Sequence, residues 1–214
     1  MKIVIRADAS RDIGGGHVMR SLVLAKELSK RGHECTFLAI ENSFDLVPLD
    51  VPGINKIEIP PQEFDDTTHI EKLNQDIDIF LIDSYRLNTY YEQKARSVSK
   101  LVATIEDIPS RQHNVDVLID PTFERQAKEY NGLVPSICRL LLGVQYAPLR
   151  EEFSQHRESI DEKRNTAKKK QNVLVSLGLT DPRNDTLTIL KGIAPLSDYL
   201  DTSVVIGKSS EHKE

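Results

Sequence analysis

An apolar run from Lys2 to Ala7 passes through Asp8-Ala9-Ser10-Arg11-Asp12-Ile13-Gly14-Gly15-Gly16 into a segment where Val18, Leu22, Ala25 and Leu28 recur at helical spacing, until Gly32 supplies a stop. A strand joined to an amphipathic helix through three glycines reads as an active-site loop, with His17 in the first turn of the helix. Successive glycines let backbone N–H groups approach an anionic ligand, and the free amides and positive dipole end of a helix favour phosphate there. The same field disfavours an imidazolium, so a histidine in this place suits a general base better than a cation. A tight turn in which the glycines solve a backbone problem and His17 merely caps or packs fits the spacing equally well. No complete G-x-G-x-x-G or G-K-[ST] follows, which leaves ordinary dinucleotide and P-loop assignments unsupported.

Beyond the loop, Cys35 to Ile40, Ile54 to Ile59, Ile77 to Ile82, Leu101 to Ile105, Val115 to Ile119 and Arg139 to Leu142 read as further strands. Leu87 to Ser99 and Phe123 to Tyr130 read as helices between them. Such alternation predicts an α/β fold, a parallel sheet with helices on both faces. Asp8, Asp83, Asp107 and Asp120 each fall at or just past the carboxyl end of a predicted strand, the edge where open α/β sheets bind ligands. Asp107 and Asp120, followed closely by Pro109 and Pro121, read as caps or turn formers. Asp8 and Asp83 open loops that also carry Ser10 and His17, and Ser84 and Tyr85.

The 214 residues suffice for one large domain or one and a half. Residues 1–150 read as the first domain, 151–171 as a charged helix and linker holding the run Lys168-Lys169-Lys170, and 172–214 as the start of a second α/β domain. In that last part a strand (Asn172 to Leu177), a loop, a helix (Asp185 to Ile193) and a strand (Ser203 to Ile206) echo the first βα unit. A βαβ piece of this size buries little core alone, so the second domain is expected to be incomplete. A net charge of −5 argues against nucleic acid or an anionic membrane surface as partner. With no leader-like segment at the start and no long apolar run later, a cytoplasmic location is expected. Cys35 and Cys138 read as two buried thiols, and no metal-ligand spacing appears. His33, His69, His113, His156 and His212 lie in polar or charged stretches without an evident partner.

Four stretches together resemble a known family, the nucleotide-sugar hydrolases of the pseudaminic acid pathway, which cleave UDP from a diacetamido-trideoxy-altrose donor. They are Arg6-Ala7-Asp8-Ala9-Ser10 through Ile13-Gly14-Gly15-Gly16-His17-Val18-Met19-Arg20; Ile82-Asp83-Ser84-Tyr85; Leu142 to Phe153; and Val173-Leu174-Val175-Ser176-Leu177-Gly178-Leu179-Thr180-Asp181-Pro182-Arg183-Asn184. The resemblance implies a glycosyltransferase-B-like architecture, with a Rossmann-like first domain contacting the sugar and a second contacting the nucleotide. Two departures stand out. Leu179 occupies the place of a usual second glycine, and the later part of the second domain has no counterpart up to Glu214.

The same resemblance implies that His17 takes a proton from a water attacking the anomeric carbon, with inversion, while UDP departs without a divalent metal or other cofactor. Tyr85 or Asp8 would orient the sugar or the imidazole. Backbone amides at Gly14, Gly15 and Gly16 and around Gly178 would meet the diphosphate, and Arg6, Ser10, Arg20, Asp83, Ser176, Asp181 and Asn184 would complete the contacts to a small nucleotide-sugar substrate. A hydrolysing 2-epimerase or a glycosyltransferase of the same shape, or a non-catalytic sugar-binding remnant, are the competing expectations. The oligomeric state is left open.

Overall fold

A computed structural model of the chain describes residues 1–49, 51–61, 67–73, 76–164, 171–208 and 210–212, with backbone alone over 158–164. Seven strands, β1 (Lys2–Ala7), β2 (Glu34–Ile40), β3 (Ile54–Ile59), β4 (Ile77–Asp83), β5 (Ser99–Ile105), β6 (Val117–Asp120) and β7 (Arg139–Leu142), form one parallel sheet in the order β3-β2-β1-β4-β5-β6-β7. Parallel strands need crossovers, and these are supplied in part by α1 (Gly16–Lys30), α2 (Ser43–Leu46), α3 (Thr68–Glu71) and α4 (Thr89–Val98). The central strands are continuous apolar runs because helices cover both faces: Ile3, Val4, Ile5 and Ala7 of β1 and Phe80, Leu81 and Ile82 of β4 are all buried. The chain winds outward from β1 to β3, then returns to place β4 on the other side of β1. Strand order therefore reverses between β1 and β4, the switch point beside which open α/β sheets bind ligands.

Helix α1 buries His17, Val18, Ser21, Leu22 and Ala25, a stripe at three- and four-residue spacing that carries two polar members. It ends where Gly32 takes a left-handed φ of 81° and donates to the Ser29 carbonyl at 2.9 Å. Helix α4 starts later than the apolar pattern suggests, because the Asn88 side chain accepts the N–H groups of Tyr90 and Tyr91 and sets the boundary.

The helix expected over Phe123 to Tyr130 is reduced to one 3-10 turn, Ala127–Tyr130. Glu124 stands in the left-handed region at φ 58°, and Arg125 folds back to Asp120 at 2.5 Å and across to Glu129 at 2.6 Å, so the preceding residues form turns instead. Cys35 is buried and Cys138 only half-buried, both as free thiols, which corrects the expectation of two buried ones. Among the described residues no helix is long and apolar enough to cross a membrane.

The chain divides into two units, Met1–Ala9 with His17–Pro148, and Ser10–Gly16 with Leu149–Glu214. The glycine loop thus clusters with the second unit, whereas the sequence division kept it in residues 1–150. The second unit holds α5 (Glu151–Arg164), β8 (Gln171–Ser176), α6 (Asp185–Ile193) and β9 (Leu200–Val205), with β8 and β9 paired in parallel. Lys168, Lys169 and Lys170 lie outside the described residues. One close approach explains a glycine here: a Cβ on Gly207 would lie 2.0 Å from the Leu179 carbonyl oxygen.

Candidate functional site

Four strands of the sheet end in a carboxylate or are followed directly by one, and an arginine answers each: Asp8 is met by Arg6, Asp83 by Arg20, Glu106 by Arg111 and Asp120 by Arg125. Two of these pairs, Arg6–Asp8 and Arg125–Asp120, serve the fold. Arg6 is fully buried, its guanidinium held by Asp8 and by the Leu38 carbonyl at 3.4 Å, while Asp8 Oδ1 also accepts the Ile40 N–H at 2.8 Å. Asp8 and Arg6, expected at the substrate, instead tie the end of β1 to β2. Asp120 accepts from Thr122 N at 2.9 Å and from the Tyr130 hydroxyl at 2.7 Å, the turn-forming role expected of it.

Asp83 is different, because its donors come from the first turns of α1. His17 Nδ1 lies 2.6 Å from Oδ1, the Ser21 hydroxyl donates to Oδ2 at 2.8 Å, and Arg20 donates through Nε at 2.8 Å and Nη2 at 2.5 Å. His17 and Ser21 are one helical turn apart, and Arg20 lies between them, so a single helix end presents all three to the end of β4. A carboxylate only accepts, so the short His17 contact requires the proton on Nδ1. The 3.3 Å approach of Arg20 Nη2 to that nitrogen is then proximity alone, and in the neutral imidazole the lone pair resides on Nε2. The group that fixes the tautomer of the imidazole is therefore Asp83.

Arg20 also reaches Asp107 at 2.9 Å, and Asp107 accepts the Tyr85 hydroxyl at 2.5 Å. The Tyr85 ring stands edge-on to His17, with centroids 4.6 Å apart at 77°. Asp107, read from sequence as a turn former beside Pro109, is thus part of the cluster. Burial works against the Arg20 charge, but hydrogen bonds and charge from Asp83 and Asp107 outweigh it and raise its pKa. Burial, reinforced by Asp107, pushes the Tyr85 phenol upward, so Tyr85 is a hydrogen-bond donor at neutral pH.

The remaining expected contacts are placed otherwise. Ser10 and Gly14 bond each other through both backbone groups, Gly14 N donating to Ser10 O at 2.8 Å, and Gly14 takes φ 76°. The Gly14 amide is therefore spent on closing the turn. Gly15 is buried and Gly16, the first residue of α1, is exposed. In the second unit Ser176 and Gly178 are exposed, whereas Asp181 accepts the N–H groups of Asp185 at 2.9 Å and Thr186 at 3.0 Å. Asp181 thus occupies the first amides of α6, and Asn184 turns the chain into that helix at φ 55°.

Two histidines read as partnerless are paired: His69 Nε2 lies 2.8 Å from the Tyr91 hydroxyl, and His113 lies between Glu92 and Glu106. Ser21 had a legible signal, four residues after His17 on the buried stripe.

No protein-family model matches the chain. It is 31% identical over 195 residues to the UDP-2,4-diacetamido-2,4,6-trideoxy-beta-L-altropyranose hydrolase of Campylobacter jejuni, an alignment covering 88% of this chain and 64% of that protein. Over its full length it is 26% identical to an uncharacterized protein of Methanocaldococcus jannaschii, of which it covers 44%. The chain thus spans about half to two thirds of the curated relatives it matches. A glycosyltransferase from Rickettsia africae aligns with 97% of the chain and 68% of its own, with a TM-score of 0.54 and 15% identity, a likeness of fold. The resemblance seen in the sequence stands: the chain is similar to the altropyranose hydrolase, and its α/β fold is glycosyltransferase-like.

Proposed function

We propose that the chain is a nucleotide-sugar hydrolase that releases UDP from a UDP-linked diacetamido-trideoxy sugar. The observation that supports this most is the His17–Asp83 pair at the β1/β4 switch point, since it fixes an imidazole with its lone pair on Nε2. A water oxygen attacks the anomeric carbon and gives its proton to His17 Nε2. The bond from that carbon to the diphosphate oxygen breaks on the opposite face, its electron pair leaves with UDP, and the anomeric centre inverts.

The charge around His17 favours this chemistry. Asp83 and Asp107 carry two negative charges against the one positive charge of Arg20, a balance that suits positive charge developing on a sugar ring. Diphosphate is a good leaving group, so the reaction needs no acid beside it, and we propose that it runs without a metal. Similarity to the Campylobacter hydrolase points to the diacetamido-trideoxy-altrose donor as the substrate to try first.

The test is phosphorus NMR of the purified chain with that donor in the presence of a chelator. Release of UDP that falls by about 10²- to 10⁴-fold in His17→Ala, with donor binding retained, is the expected result. Wild-type turnover in that variant would remove His17 from the base role. Release only after an acceptor is added would point to a transferase, and a product altered at C2 to a hydrolysing epimerase.

A further inference from the structure

A second buried polar cluster lies beside the His17 site in the same unit, and the reaction just proposed makes no use of it. It joins Glu106 at the end of β5, Arg111 and His113 on the loop that follows, and Glu92 on α4. Arg111 donates through Nε to Glu106 Oε2 at 2.8 Å, through Nη2 to the Ser84 carbonyl at 2.8 Å, and through Nη1 to the Leu87 carbonyl. One guanidinium therefore holds both ends of the segment 84–87, whose second residue is Tyr85. Glu106 Oε1 accepts the N–H groups of Asp107 at 3.0 Å and Ile108 at 3.1 Å, which fixes the backbone carrying the Asp107 carboxylate. His113 anchors Glu106 from behind, with Nε2 at 3.3 Å from Glu106 Oε2 and Nδ1 at 2.7 Å from Glu92 Oε1.

We propose that Arg111 and His113 are positioning residues which, through Glu106, set the placement of Tyr85 and Asp107 and hence of the Arg20 and His17 side chains those two touch. The argument is one of reach. Tyr85 and Asp107 belong to loops after different strands, and loops drift unless tied. Arg111 is the group that bonds the first loop directly and the second through one carboxylate. Its fork supplies donors in three directions, which the single ammonium of a lysine cannot reproduce.

The charges agree with this role. His113 faces Glu92 from α4, Glu106 from β5 and, more distantly, Arg111 from its own loop, so a protonated ring brings two carboxylates and one guanidinium to neutrality. Glu106 is held at about 2 because the His113 ring 3.3 Å away, the charge of Arg111 and two backbone donors outweigh the cost of burial.

The inference rests on the hydrolase reading for its activity arm only. The variants are Arg111→Met, Arg111→Lys and His113→Asn in the full chain. Two quantities are read: kcat/KM for UDP release from the diacetamido-trideoxy-altrose donor, and the proton NOE between the His17 and Tyr85 rings. We expect Arg111→Met and Arg111→Lys to lose about 10- to 100-fold in kcat/KM, mostly in kcat, and to lose the NOE, while His113→Asn weakens both less. In Tyr85→Phe/Arg111→Met the two losses should fail to multiply, since Arg111 acts through Tyr85 and Asp107. An unchanged NOE in folded Arg111→Met, or fully multiplicative losses, would overturn the proposal. Unfolding of both Arg111→Met and His113→Asn would assign the network to stability alone and overturn it too. A lost NOE in a chain whose wild type releases no UDP would uphold the positioning role and reject the hydrolase reading.

Discussion

His17 Nδ1 and Asp83 Oδ1 are 2.6 Å apart although 66 residues separate them in sequence, and the carboxylate is completely buried. The pair makes the His17 tautomer a consequence of the fold. Asp83→Asn keeps the shape but offers an N–H where His17, Arg20 and Ser21 all need an acceptor. The expected result is a fall in kcat of about 100-fold or more, together with a loss of about 1–3 kcal/mol in stability from unsatisfied buried donors. Steady-state kinetics beside urea unfolding check both; near-wild-type kcat in a folded Asp83→Asn would show that the tautomer does not matter.

Tyr85 and Asp107 should separate from that pair in their effects. Among the described residues the Tyr85 hydroxyl donates to Asp107 alone, and its side chain is substantially exposed, so Tyr85→Phe should leave stability within about 0.5 kcal/mol of wild type. Asp107→Asn also weakens the tie to Arg20, and it should lower kcat/KM more than Tyr85→Phe does. Equal kinetics in the two variants would mean that the Arg20–Asp107 contact adds nothing beyond the phenol bond.

The sheet was legible because its central strands are buried on both faces and so appear as apolar runs, and because α1 shows one helical stripe. Gly14 to Gly16 led directly to His17. Asp83 was visible as an acid at a strand end, but its work on the imidazole depends on which strand lies beside β1, and only the order β1-β4 settles that. Asp107 was hidden by the proline two residues on, which suits a turn whether or not the carboxylate has a second task. Arg111 and His113 had no signal, since their partners Ser84, Leu87 and Glu92 lie 27, 24 and 21 residues away. The misread helix after Asp120 came from side chains, Arg125 above all, that compete with helical turns.

In the second unit, Gly207 and Gly178 make a contrasting pair. A Cβ on Gly207 meets backbone at 2.0 Å, whereas one on Gly178 meets nothing within 4 Å and suffers only from a φ of 88°. Gly207→Ala should cost about 1–3 kcal/mol and Gly178→Ala about 1 kcal/mol. Hydrogen exchange in β8 and β9 is the suitable readout, and a larger loss of protection in Gly178→Ala would contradict the ordering.

The Glu92–His113–Glu106 cluster predicts a stability maximum on the acid side of neutrality. Burial opposes the His113 charge, but its contacts with the Glu106 and Glu92 carboxylates prevail and raise its pKa above the ordinary 6.5. A raised value means that the folded state binds the proton more tightly than the unfolded chain does. This contribution is therefore complete below about 6.5 and disappears as pH climbs through the raised value. Glu106 works in the opposite sense, because its pKa is lowered from 4.5 to about 2: its contribution is present above 4.5 and is lost as pH falls toward 2. Between those limits both terms act together. Thermal unfolding from pH 5 to pH 9 should show the wild type losing stability with rising pH, and His113→Asn, already weaker by about 1–3 kcal/mol at pH 6, losing less over the same range. Parallel curves for the two proteins would mean that His113 sits between its glutamates without carrying the proton.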